Sequence, residues 1–259
     1  MSATPNPISI AWSMLRARRV SHPRSLGSGT VDHGLFESTL ARLAANGIGS
    51  FGKSDPGLSS YRDAASEIDP DQLTRDDALA FWLNVYNAGA IGSAASAFDS
   101  AADSVLRIPG AFSRPWITVA GEDLSLDDIE HGKIRRFGDP RIHGALVCGS
   151  ISCPTLRATP FTGPGVDSEL EEQMRSFIAH GGGHLDRAAN TVTLSRVLKW
   201  YGRDFVSPHK MPTIIPTTSA SIRAAVSQWF GSDDREYIAA HQPEVQFATY
   251  DWALGCSIT

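Results

Sequence analysis

The chain has 259 residues, 42% of them hydrophobic and 20% charged, with a formal net charge of −5 at pH 7. That length supports a conventional core without disulfides, and the balance is that of a folded globular protein, not a disordered one. The single basic cluster, Arg16, Arg18 and Arg19, is too small for a nucleic-acid footprint, and no apolar run reaches the length of a membrane helix, so neither partner is expected.

Pro7 to Leu15 is short, interrupted by serines and followed by arginines, which is not the basic-then-apolar order of a signal peptide. A cytoplasmic location is therefore expected. Three cysteines is an odd number for a chain of this size. It argues against a disulfide framework and for thiols that are buried or used; a Cys148–Cys153 bridge is possible in principle, and the expected cytoplasmic location disfavours it. Cys256, near the end, reads as incidental.

Residues 1–60 read as a helical or irregular N-terminal region, in which Leu35, Leu40 and Leu43 fall near helical spacing before Asn46-Gly47. Residues 61–259 read as one α+β domain, the whole forming one globular unit. Ser54 to Ser60 is expected as a loop and Tyr61 to Ile68 as a short helix. Thr74 to Ser96 is a helix capped by Thr74, with Asp76 and Asp77 in its first turn. It is apolar nearly all round, which predicts burial, and its Ala and Gly positions between 88 and 95 let other backbones approach closely. Asn84 and Asn87, buried on such a helix, need hydrogen-bond partners.

Trp116 to Val119 reads as a strand, and Ser125 with Asp128 as a capping box for a helix over Leu126 to Arg136. Asp139 to Pro154 reads as a strand ending in a loop. A second capping box, Ser168 with Glu171, precedes a helix bearing Leu170, Met174, Phe177 and Ile178 on one face. His184–Asp186 and Thr191–Leu194 form a hairpin, Ser195 caps the helix RVLKWYGRDF, two further helices lie in 221–230 and 234–241, and Val245 to Tyr250 alternates like a closing strand. Without a regular βαβ period, this order predicts an α+β fold: a buried central helix on a small, mostly antiparallel sheet with peripheral helices.

Chemistry concentrates in the block DPRIHGALVCGSISCP, which holds His143, Cys148 and Cys153. A cysteine attacks as thiolate, so it needs a base or positive field, and backbone donors for the oxyanion that forms. Cys153 or Cys148 is the expected nucleophile and His131 or His143 the base, with Glu130, Asn84 or Asn87 as orienting group. In a strand, His143 and Cys148 would face opposite sides, which favours His143 with Cys153, or His131 with either cysteine. Asn87, Ser150, Ser152, Arg141 and Lys199 are expected at the substrate. Gly149-Ser150-Ile151-Ser152-Cys153 lacks the second glycine of a GxSxG elbow, so a serine nucleophile is set aside.

Two other readings stand beside this one. The same residues could form the satisfied polar core of a non-enzymatic binding or scaffold domain. Alternatively, His131, His143, Cys148 and Cys153 offer four zinc ligands, although their spacing matches no CxxC knuckle; otherwise no cofactor is expected.

FWLNVYNA at 81–88, LSLDDIEHGKIR at 124–135, DPRIHGALVCGSISCPTLR at 139–157, LSRVLKWYGRDF at 194–205 and YDWAL at 250–254 together resemble the domain of unknown function 547 family, in family order over about residues 75–255. One departure is Gly255, where the resemblance implies Asn. A looser similarity, a buried helix followed by a strand opening with His143, is to the core of papain-like and transglutaminase-like thiol enzymes. That similarity implies a nucleophile at the start of the core helix, whereas the helix in this chain offers Asn84 and no cysteine. The substrate expected is a small molecule or peptide-like group carrying an amide or thioester; the oligomeric state is not readable from the chain.

Overall fold

The structure, a computed structural model, describes residues 15, 17–52, 55–213, 215–255 and 258; Cys256 lies outside them. It is an α+β domain built around one helix, α3, whose apolar surface runs all the way round. Before it come α1 (Gly34–Asn46) and α2 (Pro56–Ser66), and α3 itself spans Arg75–Asp99. Thr74 caps α3 through its hydroxyl, which accepts from the Asp77 N–H at 3.1 Å, with Asp76 and Asp77 in the first turn where the helix dipole favours negative charge. Every residue from Asp77 to Ile91 is buried. A helix without a solvent-facing stripe must be enclosed on all sides, and the rest of the chain supplies the enclosure.

One wall is the hairpin β1 (Ile117–Val119) and β2 (Glu122–Leu124), with Ile117 opposite Leu124. The next is α4 (Leu126–Gly132), whose Ser125–Asp128 capping box forms as its spacing predicts. Gly89 faces this wall. A Cβ there would sit 2.5 Å from Trp116 Cε2 and 2.6 Å from Leu126 Cδ2, so only glycine allows the helix this close. Phe36, Leu40 and Leu43 of α1 and Leu58 of α2 enter the same core.

A second core lies C-terminal. Helix α5 (Val166–Phe177) joins the two, its Leu170 packing in the first and its Met174 and Phe177 in the second. The second core is completed by β3 (Gly183–Asp186), β4 (Thr191–Leu194), α6 (Arg196–Trp200), α7 (Gly202–Val206), α8 (Ser219–Val226), α9 (Ser232–His241) and β5 (Glu244–Phe247). Strands β3 and β4 pair antiparallel, and β5 joins β4 in parallel. Among the described residues no helix is long and apolar enough to cross a membrane.

Four elements differ from the sequence reading. Pro56-Gly57 opens α2 rather than lying in a loop, because Asp55 accepts from the Leu58 N–H at 3.0 Å and Pro56 needs no donor at the first position. Helix α5 starts at Val166, so Ser168 lies inside it and bonds back to Gly165 O; Glu169 instead holds Thr162, accepting from its N–H at 2.9 Å. The helix expected over 196–205 breaks at Tyr201 into α6 and α7. The strand expected after Asp139 is a 3-10 turn, Pro140–Gly144, because Asp139 accepts from the Arg141 N–H at 2.9 Å and Pro140 fits the first helical position.

Replacing Gly89 with alanine raises intrinsic helix propensity, yet the overlap with Trp116 and Leu126 should dominate. Gly89→Ala is expected to lower stability by about 1–3 kcal/mol, read from the urea midpoint; an unchanged or higher midpoint would show that α3 is not packed tightly there.

Candidate functional site

The central helix places the cysteine-bearing block through two amides. Asn87 donates to Ala145 O (3.1 Å) and accepts from the Val147 N–H (3.2 Å). The backbone of 145–147 thus finds, in one side chain, the ladder a neighbouring strand would have offered. Asn84 does the same one turn earlier for Phe161, donating to its carbonyl at 2.8 Å and accepting from its N–H at 2.9 Å. Both asparagines are fully engaged with backbone, as burial demands.

Beyond Val147 the chain turns at Gly149, whose φ of 76° is left-handed and favours glycine. A Cβ there would also meet Val105 Cγ2 at 2.9 Å. The loop is then gripped by the C-terminal segment: Ile151 N donates to Ala253 O (2.9 Å), Gly255 N to Gly149 O (3.0 Å) and Asp251 N to Ser152 Oγ (2.9 Å). This pairing brings Tyr250 onto the thiols.

Cys148 and Cys153 are free and partly exposed, with their Sγ atoms 2.9 Å apart. Cys148 Sγ lies 3.0 Å from Ser150 Oγ and 3.3 Å from Tyr250 Oη, and those hydroxyls are 2.8 Å apart. The Cys153 thiol donates to Cys148 Sγ, while the Cys148 N–H donates to Cys153 Sγ at 2.9 Å. The two sulfurs are therefore driven apart in acidity. The Cys153 thiol first, then the hydroxyls and the Ser150 N–H, lower Cys148 to about 7 against the opposing effect of burial. Cys153 is raised well above its ordinary value by burial and by its neighbour. Hydrogen bonds to the charged form are what favour a thiolate.

The histidines pair elsewhere. His143 Nε2 is 2.9 Å from Asp204 Oδ2, and its ring stacks on Tyr201 at 3.9 Å between centroids. Asp204 is fully buried and also takes a two-point pair from Arg135, Nε to Oδ2 at 2.8 Å and Nη2 to Oδ1 at 3.0 Å. Burial pushes the Asp204 carboxyl up, but the His143 and Arg135 hydrogen bonds outweigh it and keep it below its usual range. His131 lies 3.5 Å from both Arg135 Nη1 and Glu130 Oε1, and burial brings it down to about 4. Burial likewise lowers His143 despite Asp204. Glu130 accepts from the Tyr201 hydroxyl (2.6 Å) and the Tyr86 hydroxyl (3.3 Å). Burial raises its carboxyl most, yet His131, the Tyr201 hydrogen bond, His143 and Arg135 together bring it below its usual value.

Two groups therefore emerge from the residues singled out in the sequence. Cys148, Cys153 and Ser150 gather with Tyr250. His131, His143 and Glu130 gather with Arg135, Asp204 and Tyr201, and among the described residues no hydrogen bond joins a histidine to either thiol. Buried Tyr86 bonds Glu130 (3.3 Å), and burial first, then the charges of Glu130 and Cys148, raise its hydroxyl. Ser152 bonds the C-terminal segment, Arg141 is held by Asp139 and Asp167, and Lys199 is exposed over the Phe247 ring at 5.0 Å. His131, His143, Cys148 and Cys153 do not form a ligand set, and among the described residues no group of three or more His, Cys, Asp or Glu is placed to hold a metal ion. Tyr250 and Asp204 lie in motif blocks of the sequence, but their partners are 102 and 61 residues away.

Asp204→Asn leaves the buried Arg135 without its counter-charge and is expected to cost about 3–5 kcal/mol of stability, measured by urea unfolding. His131 and His33 are both brought to about 4 by burial. Because their folded values lie below the unfolded one, the unfolded chain binds more protons as pH falls from about 6.5 to about 4. Stability should be flat with respect to these groups above that window and fall within it, by at most about 1.4 kcal/mol per pH unit for each histidine. A urea midpoint independent of pH across the window would contradict their burial in neutral form.

No curated protein and no solved structure matches the chain. The matched family segment ends at the joint between the two cores, leaving the LSRVLKWYGRDF and YDWAL blocks outside it. Residues 70–178, the segment that runs from α3 to α5, match the family described as Protein of unknown function, DUF547.

Proposed function

We propose that this chain is a thiol-dependent hydrolase or acyl transferase, with Cys148 as nucleophile, acting on a small amide, thioester or peptide-like substrate. The observation that carries the reading is the set of donors around Cys148 Sγ: the Cys153 thiol, the Ser150 hydroxyl and N–H, and the Tyr250 hydroxyl. Such a set favours a standing thiolate near neutral pH and reduces the need for a histidine base. Sγ attacks the acyl carbon, the leaving group departs, and the thioester formed passes its acyl group to water or another acceptor. The Ser150 and Tyr250 hydroxyls are the donors available to the developing oxyanion. His131, His143 and Glu130 are then structural groups, held together by Arg135, Asp204 and Tyr201 apart from the thiols. Two free thiols also suit the cytoplasm.

A second reading, a binding or scaffold domain, is favoured by the backbone duties of Asn84 and Asn87. Alkylation by iodoacetamide as a function of pH, followed by mass spectrometry, separates the two. Cys148 is expected to react with a midpoint near pH 7 and about threefold faster than a free thiol peptide at neutral pH. Tyr250→Phe should move that midpoint upward, and a p-nitrophenyl ester should leave its acyl group on Cys148. If neither cysteine outpaces the peptide and no acyl adduct forms, the binding-domain reading takes over.

A further inference from the structure

The acyl-transfer reading uses one sulfur, yet two are in contact. Cys153 is not a bystander in geometry: its Sγ is 2.9 Å from Cys148 Sγ, and the Cys148 N–H donates to it. The intervening loop is short, closed by the Cys153 N–H on Ser150 O at 3.1 Å, and its tip, Ile151, is 58% exposed. A disulfide requires about 2.05 Å between sulfurs, so side-chain rotation with a small shift of this loop closes the gap. We propose that Cys148 and Cys153 form a thiol–disulfide exchange centre, in which Cys148 attacks a low-molecular-weight disulfide and Cys153 resolves the product.

The step balances without a further reagent. Cys148 thiolate attacks one sulfur of a disulfide RSSR, giving the mixed disulfide and releasing one RS⁻. Cys153 then loses its proton and attacks Cys148 Sγ, forming the Cys148–Cys153 bond and releasing the second RS⁻. The two cysteines are oxidised and the disulfide is reduced to two thiols. The asymmetry of the pair suits the order, since the attacking sulfur is the one lowered to about 7 and the resolving sulfur stays protonated until the mixed disulfide forms. Burial is the main cause of the rise in Cys153 and persists, but formation of the mixed disulfide removes the part that comes from Cys148, its hydrogen bond and charge, and the contact between the sulfurs places Cys153 to act second. This inference shares the Cys148 thiolate with the acyl-transfer reading but none of its acyl chemistry.

The test uses the full chain and oxidised glutathione at neutral pH, followed by thiol titration and peptide mass spectrometry. The expected result is loss of two of the three thiols, with a Cys148–Cys153 cross-link and no retained glutathione. Cys153→Ser should stop at a glutathione adduct on Cys148, and Cys148→Ser should leave Cys153 unmodified. The proposal is overturned if the unsubstituted chain keeps glutathione on Cys148, or if Cys153 carries it first. Iodoacetamide reactivity distinguishes the two readings. A Cys148 that alkylates with a midpoint near pH 7 yet never cross-links removes only the exchange centre, whereas a cross-link without any acyl adduct removes only acyl transfer.

Discussion

The structure depends on enclosing one helix. From Asp77 to Ile91 the surface of α3 has no side that water can occupy, so α2, α4 and α5 lie against it, with α1 and β1 packed on α2 behind them. The hydrophobic gain from this enclosure is non-directional and would tolerate sliding. What removes the freedom to slide is polar: Asn84 and Asn87, one turn apart, must each satisfy an amide away from water, and each does so on the backbone of one distant segment. The cysteine-bearing loop therefore inherits its position from the helix through Asn87, and the segment at Phe161 through Asn84.

A second constraint ties the two cores together. Arg135 leaves the α4 region with a charge that is 1% exposed, and Asp204 on α7 answers it with no exposure at all. A buried ion pair of this kind adds little net stability compared with a well-packed apolar substitute, but each partner becomes indispensable to the other. It joins the segment after α4 to α7 by a two-point contact. His143 and Tyr201 complete the arrangement, and the same ring stack fixes His143 away from the thiols. A histidine and a cysteine close in sequence are thus separated by the demands of a buried charge.

The thiol pair is organised by the opposite kind of environment, one partly open to solvent and rich in neutral hydroxyl donors. Ser150 is local, but Tyr250 arrives from the end of the chain, held by backbone pairing between 149–152 and 251–255. Trp200 and Trp252 pack around that tyrosine, with ring centroids 4.9 and 4.4 Å from it, so its hydroxyl is aimed by an aromatic cluster. Several hydroxyl and thiol groups surround Cys148 Sγ, and no imidazole lies within hydrogen-bond reach of it among the described residues.

The sequence by itself determined what local chemistry decides. The Thr74 cap and the unbroken apolar surface after it specify α3 and its burial; the Ser125–Asp128 box specifies the start of α4; the alternation in 191–194 specifies β4. It also marked the block that carries both cysteines, because residue type is visible without a fold. Where an apolar run met a competing local cap, as at Asp139-Pro140, periodicity misled. Tertiary structure alone decided which of the marked residues meet: Tyr250 with Cys148, Asp204 with His143 and Arg135, Asn87 with 145–147. These contacts span about 60 to 100 residues. Closing such long loops costs entropy that no local pattern repays; enclosure of α3 repays it, and that exists only once the whole chain is in place.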